Sequence, residues 1–115
     1  MPSMTEAVRA YGAATTQRSQ REQEADVFLR VIGALKAAQN ADAITRAKSL
    51  ADNRRLWLAV NDIVRDPANQ LPEDLRASIL SVGLAVQREM ESDAPDIQFL
   101  ISVNENIAAG LAAAG

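Results

Sequence analysis

The sequence predicts an all-α protein, a small helical bundle of four main helices plus a short N-terminal helix. Three observations carry this. Apolar residues recur at three- and four-residue spacing through most of the chain. Capping patterns and prolines punctuate it at intervals about one helix long. No stretch alternates apolar and polar residues with the two-residue period of a strand. At 115 residues the chain can bury one real core but not two, so residues 1–115 are expected to form a single domain.

The first helix starts at a capping box. Ser3-Met4-Thr5-Glu6 places a hydroxyl before the first turn and a carboxylate three residues later. Met4, Ala7, Val8, Tyr11 and Ala14 then share one face, to about residue 15. A helix this short is marginal alone in water and must dock on something. Ser19-Gln20-Arg21-Glu22 repeats the capping pattern, so a second helix is expected from there to about residue 39. Its buried face is Ala25, Phe28, Leu29, Ile32 and Leu35, widened by Val31.

Asn40-Ala41-Asp42 reads as a stop followed by a new N-cap. Residues 43–65 are helical in pattern, but the apolar stripe changes phase. Ile44, Ala47 and Ala51 point to one side, and Leu56, Val60, Ile63 and Val64 to another, with Trp57 flanking the second group. Either the helix breaks near Asp52-Asn53 or one long helix packs on different neighbours at its two ends; the continuous helix is the expectation. Pro67 and Pro72 bracket the clearest loop. Pro72 suits the start of the next helix, and Glu73 and Asp74 suit its dipole. That helix, about 73–91, carries Leu75, Ile79, Val82, Val86 and Met90 on one face and Leu80 and Leu84 on another. Ser92-Asp93-Ala94-Pro95 is a second break, with Asp93 the expected N-cap. The last helix carries Ile97, Leu100, Ile101, Asn104, Ile107, Ala108 and Leu111 as one stripe, with Gly110 inside it.

Composition narrows function by exclusion. Cysteine and histidine are absent, which removes disulfides, Cys/His zinc sites, cysteine nucleophiles and Ser-His-Asp triads. No paired carboxylates, phosphate loop or metal-ligand spacing stands out. The expectation is a protein that is not an enzyme and needs no cofactor or metal. No signal peptide and no apolar run approaching a membrane span are visible, so a cytoplasmic location is expected. Residues 1–66 hold ten Lys/Arg against eight Asp/Glu, whereas residues 67–115 hold two against seven. The basic residues are interleaved with acids rather than clustered, which speaks against a nucleic-acid surface.

A few residues invite a sharper reading. Trp57, the only tryptophan, reads first as a core anchor. Arg54 and Arg55, the only Arg-Arg pair, read as a solvated face with local ion pairs or as a contact for an acidic partner. Leu80 and Leu84 are either central to the bundle or exposed for a partner. Asn104, in mid-stripe, is a buried amide that needs partners, or a device that sets packing register. Residue reading alone therefore ends at a helical module that works by binding.

The partner comes from a resemblance. The order Ala10-Tyr11, Arg21-Glu22, Glu24-Ala25, Asn53-Arg54-Arg55-Leu56-Trp57, Asp62, Pro67, Asn69, Leu71-Pro72, Leu75-Arg76, Ile79 and Leu100-Ile101-Ser102-Val103-Asn104 resembles the FlaF family, the flagellar biosynthesis regulators of alphaproteobacteria. Asn106-Ile107-Ala108-Ala109-Gly110-Leu111 completes it, and the match runs over about residues 7–111. Glu105 and Ala68 depart from the pattern, where the family favours arginine and glutamate. The resemblance implies a cytosolic helical protein that binds flagellin and promotes its synthesis, secretion and assembly into filaments, with a functional link to FlbT. Flagellin's terminal helical segments are the ligand expected. Val8, Tyr11, Arg54, Arg55, Leu80 and Leu84 are the candidate contact residues. Asn53, Leu56, Trp57, Pro72, Asn104, Ile107, Gly110 and Leu111 are the motif residues expected to serve the fold. Two rival functions are an RNA-binding regulator of flagellin mRNA translation and a structural adaptor between flagellar regulators.

Overall fold

The computed structural model describes residues 3–114, and of residues 10–19 the backbone alone. Four helices follow one another: α1 (Met4–Ala38), α2 (Ala43–Arg65), α3 (Glu73–Glu91) and α4 (Ile97–Ala114). They form a ring in which α1 packs on α2 and α4, and α3 on α2 and α4. The two diagonal pairs, α1/α3 and α2/α4, make no close backbone approach. Among the described residues there is no strand.

α1 begins at the expected capping box. The Glu6 amide donates to the Ser3 hydroxyl at 3.2 Å, and the Ser3 amide donates to the Glu6 carboxylate at 3.3 Å. The N-terminal helical segment is therefore present, but it is not a separate element. It continues through Ser19 into the second expected helix, so one helix covers Met4–Ala38. A capping box ends a helix only if the residue before it leaves helical geometry, and no proline or glycine between residues 15 and 19 compels that.

Asp42 caps α2, accepting the Thr45 amide at 2.8 Å, and α2 runs unbroken to Arg65. Of the first group of its two-phase pattern, Ile44 and Ala47 are exposed and Ala51 is half-buried, and the interior is reached instead by Ser49 and Asn53. The loop that follows is closed by its own polar groups. Asn69 accepts the Leu71 amide and donates to the Ile63 carbonyl, while the Arg76 guanidinium donates to the Val64 carbonyl at 2.9 Å, capping the end of α2. Pro72 stands at the N-cap of α3 with extended backbone. The cap of α4 is Asp96 rather than Asp93: Phe99 donates to its carboxylate at 3.1 Å and Leu100 to its carbonyl. Pro95 biases Ala94 away from helical geometry, so the helix starts only beyond the proline.

One core joins all four helices. Phe28, Leu35, Ile79, Val64, Val86, Leu100 and Ile101 are among its fully enclosed members. The stripe read from α4 is buried in full. On α1 the buried set is Ala25, Phe28, Ile32, Leu35 and Ala38, and Leu29 is exposed instead. It lies about 100° round the helix from Phe28, outside the arc that faces α2 and α4. Ile63 on α2 is likewise on the rim of the buried arc and 45% exposed.

The molecule is long for its size. Its radius of gyration is 16.9 Å and its longest dimension 61 Å, against about 13 Å for a compact chain of this length. The excess belongs to α1, whose 35 residues rise about 52 Å. Residues 3–9 are exposed throughout, and the first buried side chain described along α1 is Ala25.

Candidate functional site

α2 organises the site because consecutive residues fall 100° apart and so reach different surroundings. Asn53 points into the core. Trp57, one turn on, follows it and meets Phe28 of α1 edge to face, the ring centroids 5.9 Å apart at 88°. The indole N–H donates to Asn104 Oδ1 of α4 at 2.9 Å. Asn104 Nδ2 donates to Asn53 Oδ1 at 2.8 Å, and Asn53 Nδ2 donates to Met90 Sδ of α3 at 3.4 Å. An indole can only donate, so it obliges Asn104 to offer its oxygen; that turns the Asn104 amide nitrogen toward Asn53 and fixes the direction of the whole chain. Among the described residues no buried side-chain nitrogen or oxygen lacks a partner. The chain ties α2 to α4 across a diagonal where the backbones stay apart.

Beside this buried chain the α2–α3 face is open. A groove of about 200 Å³ has Trp57, Val86 and Met90 as its apolar floor, with Leu58, Arg54, Asn61, Gln87 and Glu91 around its rim. It is shaped by Gly83. A Cβ there would stand 2.9 Å from Asn61 Oδ1 and 3.5 Å from the Trp57 ring, so glycine lets α3 approach α2 without displacing Asn61. Leu58 is exposed on its flank. On the other side of α2, between it and α1, a shallower groove of about 390 Å³ has Val27, Val31, Ala34, Leu56 and Ala59 on its walls, with Arg30, Asp52 and Arg55 around them.

The two adjacent arginines are thus divided between two surfaces. Arg54 borders the α2–α3 groove and Arg55 the α1–α2 groove, where it is paired with Asp52. No group of three or more Asp or Glu side chains able to hold a metal occurs among the described residues. By length and composition α4 passes as a membrane span, with mean hydropathy 1.2. Its apolar face and Asn104 are nevertheless packed inside the bundle.

The family model for flagellar protein FlaF matches residues 7–111. The chain belongs to the FlaF family. No curated protein and no solved structure matches it. Within this FlaF fold the two sequence motifs, some fifty residues apart, meet in the interior. Asn53 and Trp57 of the first touch Asn104 of the second, and Leu56, Ile107 and Leu111 lie in the surrounding core. Gly110 sits against Leu75, 3.2 Å from where its Cβ would be.

The candidate contact residues are scattered rather than gathered. Val8 is 65% exposed on the free end of α1. The Tyr11 side chain lies outside the described residues. Leu80 and Leu84 part company: Leu80 packs against the core, while Leu84 is 57% exposed. Sequence reading missed Leu58, Asn61, Gly83 and Gln87. Gly83 did carry a signal, since a glycine between Ile79 and Val86 on a buried face marks a close helix–helix approach.

Proposed function

We propose that this chain is a flagellin-binding, chaperone-like regulator of flagellum assembly. It acts in the cytoplasm by binding rather than by catalysis, and FlbT is its functional counterpart. Flagellin's terminal segments are helical, and an amphipathic helix is bound by laying its apolar face into a groove between other helices. The observation that carries the reading is the open α2–α3 groove, with its apolar floor of Trp57, Val86 and Met90 and Leu58 on its flank, in a chain of a flagellar family. The free end of α1, with Met4 84% and Val8 65% exposed, offers further apolar surface next to the bundle.

An RNA-binding reading draws less support. Phosphate recognition gains from clustered cations, whereas Arg54 and Arg55 face different grooves and Arg55 is already paired with Asp52. Titration of purified monomeric flagellin into the protein, followed by calorimetry, tests the proposal. Saturable binding is expected, together with amide-exchange protection of the groove-lining segments of α2 and α3. Absence of binding at any concentration where both proteins stay monomeric refutes it.

A further inference from the structure

We infer that Met90 is a reversible oxidation site through which a peroxide weakens the buried hydrogen-bonded chain and reshapes the α2–α3 groove. The inference does not depend on what the groove binds. Cysteine is absent, so methionine supplies the only oxidisable sulfur in the chain. Met4 and Met90 differ in what surrounds that sulfur. Met4 is 84% exposed on the free end of α1, where an added oxygen meets only water. Met90 Sδ instead ends the buried chain, accepting from Asn53 Nδ2 at 3.4 Å. Asn53 is 0% exposed, and its amide nitrogen has no other acceptor among the described residues. Met90 also borders the groove of about 200 Å³ and is itself 7% exposed. A small oxidant in the groove therefore reaches the same side chain that Asn53 holds from within.

Hydrogen peroxide supplies the oxygen. The thioether sulfur attacks one peroxide oxygen, and an S–O bond forms as the O–O bond breaks. The proton on the transferred oxygen passes to the departing hydroxide, which leaves as water. Sulfur is oxidised by two electrons and the peroxide reduced by two. The sulfoxide exists as two epimers, and neither keeps the Asn53 bond as it stands. An oxygen on the lone pair that faces Asn53 is driven against Nδ2, only 3.4 Å from the sulfur, and forces the side chain outward into the groove. On the other lone pair it leaves Nδ2 facing a sulfur drained of electron density, a poorer acceptor than the weak one it replaces. One epimer thus displaces the groove floor, and the other leaves a buried donor unmet. Both turn an apolar part of that floor polar. Methionine sulfoxide reductases, one for each epimer, reverse the change.

The test oxidises the full chain with hydrogen peroxide, follows each methionine by peptide mass spectrometry and reads the melting temperature by far-UV circular dichroism. Met4 should be modified first, with no change in melting. The melting temperature should then fall in proportion to the fraction of Met90 sulfoxide, by about 4 °C or more at completion. Emission from Trp57, the only tryptophan and part of the same groove floor, should shift over the same time course. Both readouts should return on treatment with the two reductases. Met90→Leu has no sulfur at that position, so it should hold its own melting temperature through the treatment while Met4 is oxidised. Met4→Leu should lose melting temperature as the wild type does, and it keeps the test intact should Met90→Leu fail to fold. Three results would overturn the inference: Met90 modified only after unfolding in urea, Met90 sulfoxide with unchanged melting, or an equal loss of melting temperature in Met90→Leu.

Discussion

The buried chain from Trp57 through Asn104 and Asn53 to Met90 makes a quantitative claim about stability. Asn104→Leu is nearly isosteric, and it removes two hydrogen bonds at once, those of 2.9 Å and 2.8 Å. It leaves the Trp57 N–H and the Asn53 oxygen without partners in places where Trp57 is 4% and Asn53 0% exposed. Each unsatisfied buried group costs about 1–3 kcal/mol, so the substitution should destabilise the protein by about 2–6 kcal/mol. A domain of this size is stable by only about 5–15 kcal/mol, so the effect is a large share of the whole. Trp57→Phe orphans only the Asn104 oxygen and forfeits the contacts of the lost ring. When both changes are made, the donor and its acceptor disappear together. The double variant should then be less destabilised than the sum of the single ones by about 1–3 kcal/mol. Urea unfolding followed by far-UV circular dichroism measures all three variants without needing the tryptophan signal. Additivity within about 0.5 kcal/mol, or a cost for Asn104→Leu below about 1 kcal/mol, would refute the argument that this chain is paired and closed to water.

Other consequences can be checked in the same way. Gly33 lies inside α1, and an added Cβ would meet nothing within 4 Å; Gly33→Ala should raise stability by about 0.5–1 kcal/mol, and a lowered urea midpoint would show that the space is occupied in solution. Hydrogen bonds from the Thr45 side chain, and then from its amide, hold the Asp42 carboxyl below its ordinary value. A lowered folded-state pKa means that the stabilisation is complete above the unfolded value of about 3.9 and is lost as pH falls through the lower folded one. Asn caps a helix about as well without titrating, so Asp42→Asn should flatten that acid limb of a melting-temperature profile while leaving neutral stability nearly unchanged. Met4→Ser with Val8→Ser should shift stability by under about 0.5 kcal/mol yet weaken flagellin binding. A larger loss of stability would show that these residues pack on the bundle.

What the sequence disclosed depends on how far away the deciding partner sits. α4 could be read in full, because a stripe of seven positions over two heptads leaves one arc to bury and the fold buries it. The caps at Ser3 and Asp42 are local events and were legible for the same reason. The pattern at Ser19 misled because an identical string of residues is tolerated in mid-helix when nothing forces a break. Leu29 and Ile63 were misplaced because each borders the buried arc, and only the position of the neighbouring helices decides which side of the border is dry. The centre of α2's buried arc is Asn53, a polar residue. Its partner Asn104 is 51 positions away, so a hydrophobic pattern alone shifts the apparent stripe toward Leu56 and Ile63. The groove was less legible still. Leu58 and Asn61 matter only because Gly83 brings α3 against that flank of α2, a tertiary fact that no local spacing contains.

The pentapeptide from Asn53 to Trp57 shows how one turn of helix serves both stability and contact. Turning 100° per residue, it sends Asn53 inward, Arg54 to one groove, Arg55 to the other, and Leu56 and Trp57 back toward the core. Trp57 of the floor and Arg54 of the rim therefore lie within one turn of the same helix with separate duties. Trp57 does both: its N–H is tied inward to Asn104, and that bond holds the ring in the orientation that floors the groove. Loosening the buried chain should thus blur the groove even where the protein stays folded. A variant such as Asn53→Ala ought to lose affinity for an apolar helix at temperatures well below its own melting, whereas Arg54→Glu ought to lose affinity with no change in melting at all. If both variants lost binding only as they unfolded, the buried chain and the groove would be energetically one object, and the division of labour inferred from the rotation of α2 would be wrong.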